Sequence, residues 1–81
     1  METAYVLVTS KMGHEMDVMS ELLKITAVKE AKGTFGVYDT FVKVEASSSK
    51  EVEDIITKKI RKINNVMSTT TLSVIPEQGR N

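Results

Sequence analysis

Cysteine is absent from this chain, and histidine and proline each occur once. Without cysteine there is no disulfide framework, and a lone histidine gives no credible metal cluster, so the usual staples of a small domain are missing. Net charge is lacking too. Eleven Lys plus Arg balance eleven Asp plus Glu, which leaves no overall field to recruit nucleic acid or an anionic membrane. No apolar run is long enough to cross a bilayer, and the N-terminus enters a strand pattern at Thr3 with no charged leader or cleavage site. A cytoplasmic protein with no membrane contact is the expectation. The 81 residues make one domain, and a domain of this size buries only roughly 60–65% of the surface its unfolded chain exposes. Self-association is the staple that remains.

Taken in order, Thr3–Thr9 is rich in β-formers and apolar on both alternating faces, with Tyr5 and Leu7 on one and Ala4, Val6 and Val8 on the other. It reads as a central strand. After the turn Ser10–Gly13, the residues Met16, Val18, Met19, Leu22, Leu23 and Ile25 form a broad apolar stripe at helical spacing, which predicts a helix from about His14 to Lys24 with that stripe in the core. Thr26–Lys32 is a more polar strand suited to a sheet edge. Thr40–Glu45 alternates, Val42 and Val44 against Phe41, Lys43 and Glu45.

Ser48 with Glu51 three residues on makes a capping box, and Val52, Ile55, Ile56, Ile60 and Ile63 give the following helix one apolar stripe. Acids crowd its start, and Lys58, Lys59, Arg61 and Lys62 crowd its end, as the helix dipole favours. Asn64–Asn65 supplies residues tolerant of the left-handed conformation that ends helices. The last strand runs from Val66 to Ile75, with a row of hydroxyls at Thr69, Thr71 and Ser73. Pro76 stops it, leaving 1–76 as the domain and 77–81 as a flexible tail.

The order β-α-β-β-α-β, with right-handed crossovers, predicts an α+β ferredoxin-like sandwich. It is a four-stranded antiparallel sheet with strands 1 and 3 central and two helices on one face. The other face is then uncovered and carries Tyr5 and Leu7, or Val6 and Val8, together with Phe41. Exposed central-strand hydrophobics mark an interaction surface, and the expectation is a symmetric homodimer packed through this face.

The stretch Ala31–Val44 joins the two middle strands and holds Gly33, Phe35, Gly36, Tyr38 and Asp39. By itself it reads as a hairpin turn or as a functional loop, with Gly33 and Phe35 as turn and packing residues. In context, the chain resembles the effector-binding (RAM) domain of the Lrp/AsnC family of transcriptional regulators. The resemblance rests on Ala4-Tyr5-Val6-Leu7-Val8 with Gly13, on Val28-Lys29-Glu30-Ala31, on Gly36-Val37-Tyr38-Asp39 with Phe41-Val42-Lys43-Val44, and on the Ile55–Ile63 helix with Val66–Thr71. It covers roughly residues 3–75. Two Pro-Gly pairs common in the family are replaced by Thr26-Ala27 and Asn64-Asn65, so the turn before strand 2 is expected to differ.

The resemblance implies a non-enzymatic domain of the stand-alone kind, without its own DNA-binding domain and without direct DNA binding. It would bind a small effector, usually an amino acid, at subunit interfaces and act through oligomer assembly. Gly36, Tyr38 and Asp39 would form one wall of the site, with Asp39 on the ammonium group. Thr69 and Thr71 would form another wall, on the carboxylate. The implied partners are a second copy, further dimers up to an octamer, and a full-length regulator; no metal, cofactor or catalytic residue is implied. Two alternatives stand beside this reading. Lys32–Tyr38 is faintly similar to the stacking strand of RNA-recognition modules, though two glycines and zero net charge oppose it. An enzyme would need an acid/base group, for which His14, Glu15 and Asp17 are the only cluster.

Overall fold

The computed structural model describes residues 1–74. The sequence expectations at Ile75, at Pro76 and in the tail 77–81 lie outside the described residues. The elements are β1 (Glu2–Ser10), α1 (Glu15–Leu23), β2 (Val28–Gly33), β3 (Thr40–Ala46), α2 (Ser49–Ile55) and β4 (Val66–Ser73), with α2 prolonged by a π-helical turn, Ile56–Ile60. The strands form one antiparallel sheet in the order β2-β3-β1-β4, so β1 and β3 are central, as expected from the element order and, for β1, from its two apolar faces.

Ala4, Val6 and Val8 of β1 and Val42 and Val44 of β3 are buried with Val18 and Leu22 of α1 and with Val52, Ile56 and Ile60 of the second helix. Both helices therefore cover one face of the sheet, and the α+β ferredoxin-like sandwich expected from the element order is the observed architecture. Tyr5, Leu7 and Phe41 alternate onto the other face, where Leu7 stands directly opposite Phe41. The Tyr5 and Phe41 rings stack with centroids 5.1 Å apart. Lys43 and Glu45 pair at 3.5 Å beside them, so an apolar centre is flanked by a polar rim.

The first helix corrects the sequence reading. Val18 and Leu22 are buried and Ile25 packs against the core, whereas Met16 and Leu23 are exposed. At about 100° per residue, Val18, Leu22 and Ile25 share one side, while Met16, Met19 and Leu23 cluster roughly 120° round from it. The broad stripe is in fact two narrow ones, and the sheet covers one of them. The second helix keeps its stripe, with Val52, Ile56 and Ile60 buried and Ile55 and Ile63 packed at the margin. The Thr57 hydroxyl donates back to the carbonyls of Glu53 and Asp54 at the entry to the π turn, a bonding pattern that loosens regular α-helical pairing.

Ser48 is the N-cap of α2, its hydroxyl accepting from the Glu51 amide at 3.1 Å. The Glu51 carboxylate reaches back to the Ser47 hydroxyl and amide, and these hydrogen bonds hold its pKa below the ordinary glutamate value. Because the folded value is the lower one, the contribution of this cap is complete above the ordinary glutamate range and is lost as pH falls through the depressed folded value. Ser47→Ala is expected to move the Glu51 titration, followed by side-chain carboxyl NMR, upward toward the ordinary range. An unmoved titration would remove the Ser47 hydroxyl as its cause and leave the Ser47 amide.

Asn65 has φ 74° and so accepts the left-handed conformation expected of it. It sits directly before β4, where its carbonyl accepts from the Lys11 amide at 2.7 Å. The helical run ends earlier, with Arg61 as its cap. Ala27 has no positive φ, so the turn into β2 is made with ordinary backbone angles. Among the described residues no helix is long and apolar enough to cross a membrane.

Candidate functional site

The loop between β2 and β3 is a closed structure. The Thr34 amide donates to the Asp39 carbonyl at 2.9 Å, and the Thr34 hydroxyl donates to the Tyr38 carbonyl at 2.6 Å. Gly36 turns the tip with φ 116°, a conformation that side chains with a Cβ rarely adopt. No atom lies within 4 Å of where a Cβ would stand at Gly36, so glycine is needed here for its backbone angles and not for space. Phe35 and Val37 flank it with relative exposures of 105% and 81%. Phe35 is thus no packing residue within the chain, which corrects the sequence reading. A hydrogen-bonded turn of only a few residues holds its side chains outward.

Asp39 anchors the base of this loop to the end of β1. Its amide donates to the Val8 carbonyl at 3.0 Å. Its carboxylate accepts three hydrogen bonds, from the Ser10 amide at 2.8 Å, the Ser10 hydroxyl at 2.9 Å and the Thr40 hydroxyl at 3.2 Å. The last β1–β3 pair is Val8 with Thr40, and Ser10 lies beyond it, where the Asp39 side chain takes its amide. Among the described residues no cation pairs with Asp39, so three neutral donors orient the carboxylate and none neutralises it.

Tyr38 extends its hydroxyl to within 3.3 Å of the Thr70 Oγ1. Thr70 stands opposite Leu7 and so lies on the helix-free face. Thr69 and Thr71 stand opposite Val8 and Val6, both fully buried beneath the helices, and therefore lie on the helix side. There β4 runs beyond the helical cover, and Thr69, Thr71 and Ser73 line a cleft of about 670 Å³ with Val52, Ile56 and Arg61. The five residues expected to form a site are thus divided within one chain. Gly36, Tyr38 and Asp39 are on one loop: Tyr38 joins the open face, whereas the Asp39 carboxylate bonds the buried Ser10 and Thr40, and Thr69 and Thr71 stand on the helix side of β4 with β1 between them and Thr40.

Sequence reasoning missed Ser10, Thr40 and Thr70. Ser10 is 29 positions from Asp39 and carried no local signal. Thr70 is one of two even members, with Ser68, of a run, Ser68–Thr71, that puts hydroxyls on both faces, so the run alone does not say which hydroxyl meets Tyr38.

The groups behind the alternative readings are placed differently. His14 and Asp17 are exposed and pair with each other at 3.1 Å across the start of α1. Lys32 and Gly33 end β2, and residues 34–39 form no strand, so the register for a base-stacking strand does not exist here.

The family model described as the Lrp/AsnC ligand binding domain matches residues 3–78. No curated protein matches the chain. Among solved structures, FFRP-DM1 is similar at 41% identity and a TM-score of 0.89, over 93% of this chain and 100% of its own. The hypothetical protein PHS023 from Pyrococcus horikoshii is similar at 40% identity and a TM-score of 0.86, over 99% and 96%. E. coli AsnC is similar at 26% identity and a TM-score of 0.87 over 94% of this chain but 52% of its own. The match extends over almost the whole chain, and on it the protein belongs to the Lrp/AsnC family, whose ligand-binding domain it carries.

Proposed function

We propose that this domain is a non-enzymatic sensor that binds a small effector, an amino acid, at an interface between copies of the chain and regulates by changing their assembly. The observation that carries the proposal is the division of the expected site. Within one chain β1 lies between the Asp39 loop and β4, and in this reading the loop of one copy faces the α2–β4 cleft of another. The chemistry is suited to a zwitterion, since the un-neutralised Asp39 carboxylate attracts an ammonium group and the hydroxyl row offers donors to a carboxylate.

Assembly is supported by the surface. The stacked Tyr5 and Phe41, with Leu7 and the half-exposed Leu72, form an apolar sheet face suited to a symmetric homodimer. Phe35 and Val37 project outward at its rim and favour association of dimers into larger rings, up to the octamer the resemblance implies, or with a full-length regulator. In FFRP-DM1 and PHS023 the matched domain is 100% and 96% of the chain, which supports a mode of action that does not contact DNA directly. The cytoplasm, where transcriptional regulators act, is the compartment this reading implies.

A thermal-shift panel of the twenty amino acids tests the proposal. At a hundred times its dissociation constant, a ligand of the folded state adds about 2.7 kcal/mol. One or a few amino acids are expected to raise the melting temperature and to change the mass seen by light scattering. A flat response to all twenty would overturn the sensor reading, and a monodisperse monomer at micromolar concentration would overturn the assembly.

A further inference from the structure

Ser10 and Thr40 are the two buried polar residues among the described residues, with relative exposures of 7% and 1%. Both hydroxyls bond the same atom, Oδ1 of Asp39, at 2.9 and 3.2 Å, while the Ser10 amide bonds Oδ2 at 2.8 Å. A carboxylate has about four acceptor positions. Three are filled, two of them at Oδ1, so the position that remains is on Oδ2.

From this geometry we infer that Ser10, seconded by Thr40, is a positioning residue of the effector site: the two fix the Asp39 carboxylate so that Oδ2 alone is offered to an N–H donor of the ligand. The inference rests on the effector reading above. A carboxylate free to rotate would present either oxygen to water and to any cation. One held by a buried cradle presents a single acceptor direction, so its charge-assisted bond goes to a donor on that line, and an ammonium there gains more than a neutral hydroxyl. Two backbone bonds, Asp39 N–H to the Val8 carbonyl and Thr34 N–H to the Asp39 carbonyl, tie the end of β1 to the base of the 34–39 loop. The Ser10 bonds to the Asp39 carboxylate add to that tie.

The test uses Ser10→Ala and Thr40→Val, each of which deletes one hydroxyl bond with little change of shape, in the full chain. In the free protein, amide exchange measured by NMR at Thr34 and Asp39 is expected to quicken by about two- to twelvefold, the Boltzmann factor of one hydrogen bond. Amides in the middle of β1 and β3 should hold their rates. The twenty-amino-acid panel is then repeated with the strongest responder and the 2-hydroxy acid of the same side chain. The wild type should prefer the amino acid, and Ser10→Ala should narrow that preference severalfold, a change that a merely structural serine would not produce.

Unchanged exchange at Thr34 and Asp39 in both variants would overturn the clamp while leaving the sensor reading standing. Quickened exchange with an unchanged preference would overturn the positioning role. A wild-type panel flat throughout would overturn the sensor reading and the ligand-facing part of this inference together, and the exchange rates would still decide the clamp.

Discussion

Asp39→Ala is expected to lose about 2–4 kcal/mol of folding stability, because each buried donor left without a partner costs roughly 1–3 kcal/mol and part of that is recovered by water at the half-buried loop base. The donors orphaned are the Ser10 amide and hydroxyl and the Thr40 hydroxyl. The same variant should weaken amino-acid binding roughly ten- to a hundredfold, since a charged hydrogen-bond partner is worth about 1.5–3 kcal/mol. Urea denaturation and calorimetry measure the two effects separately. Asp39→Asn divides them further: its one carbonyl can accept from the Ser10 and Thr40 hydroxyls or from the Ser10 amide but not from both sets, and it removes the charge, so it should retain more stability than the alanine variant while still losing affinity. An alanine variant as stable as the wild type would show that the carboxylate does not hold β1 to the loop. An alanine variant that folds and binds as tightly as the wild type would take Asp39 out of the ligand site.

The second large effect is expected from Leu7→Glu. Leu7 lies at the centre of the helix-free face, between Phe41 and Thr70. In a two-fold dimer through this face, each copy would bring an unpaired carboxylate into the apolar contact, and leaving a buried charge uncompensated costs about 3–5 kcal/mol. Dimer dissociation should rise at least a hundredfold, which light scattering across a dilution series would register as monomer at concentrations where the wild type is dimeric. In the isolated monomer Leu7 is only half-buried, so the fold itself should survive, as circular dichroism would check. An unchanged mass would overturn pairing through this face.

Much of the architecture was legible because it depends on local pattern. The alternation of β1 and the stripe Val52-Ile56-Ile60 each report one face of one element, and one face is what the hydrophobic effect selects; Ser48 marks the helix start through its hydrogen bond to the Glu51 amide, while the Glu51 carboxylate turns to Ser47 and not to the Ser48 amide. Where two patterns overlapped, the reading blurred. Met16 and Leu23 belong to a second stripe of α1, and only the position of the helix over the sheet leaves that stripe exposed. Phe35 misled for a related reason, since an aromatic near glycines reads as packing until the hydrogen bonds of Thr34 are seen to hold the turn outward.

The candidate site was legible only as a set of residues. The motif Gly36-Val37-Tyr38-Asp39 and the threonines of β4 were found by resemblance, but which threonine meets Tyr38 depends on strand register, and a shift of one residue exchanges the faces. By itself, then, the sequence determined the order of elements and the core faces of β3 and the second helix, because these follow from side-chain period, while the candidate ligand residues came from the family resemblance. The tertiary structure alone decided that Ser10 and Thr40 cradle Asp39, that Tyr38 joins Thr70, and that Thr69 and Thr71 look into a cleft on the other side of the sheet. Apart from the bond between the neighbours Thr40 and Asp39, those are contacts between segments far apart in the chain, set by the pairing of β1 with both β3 and β4.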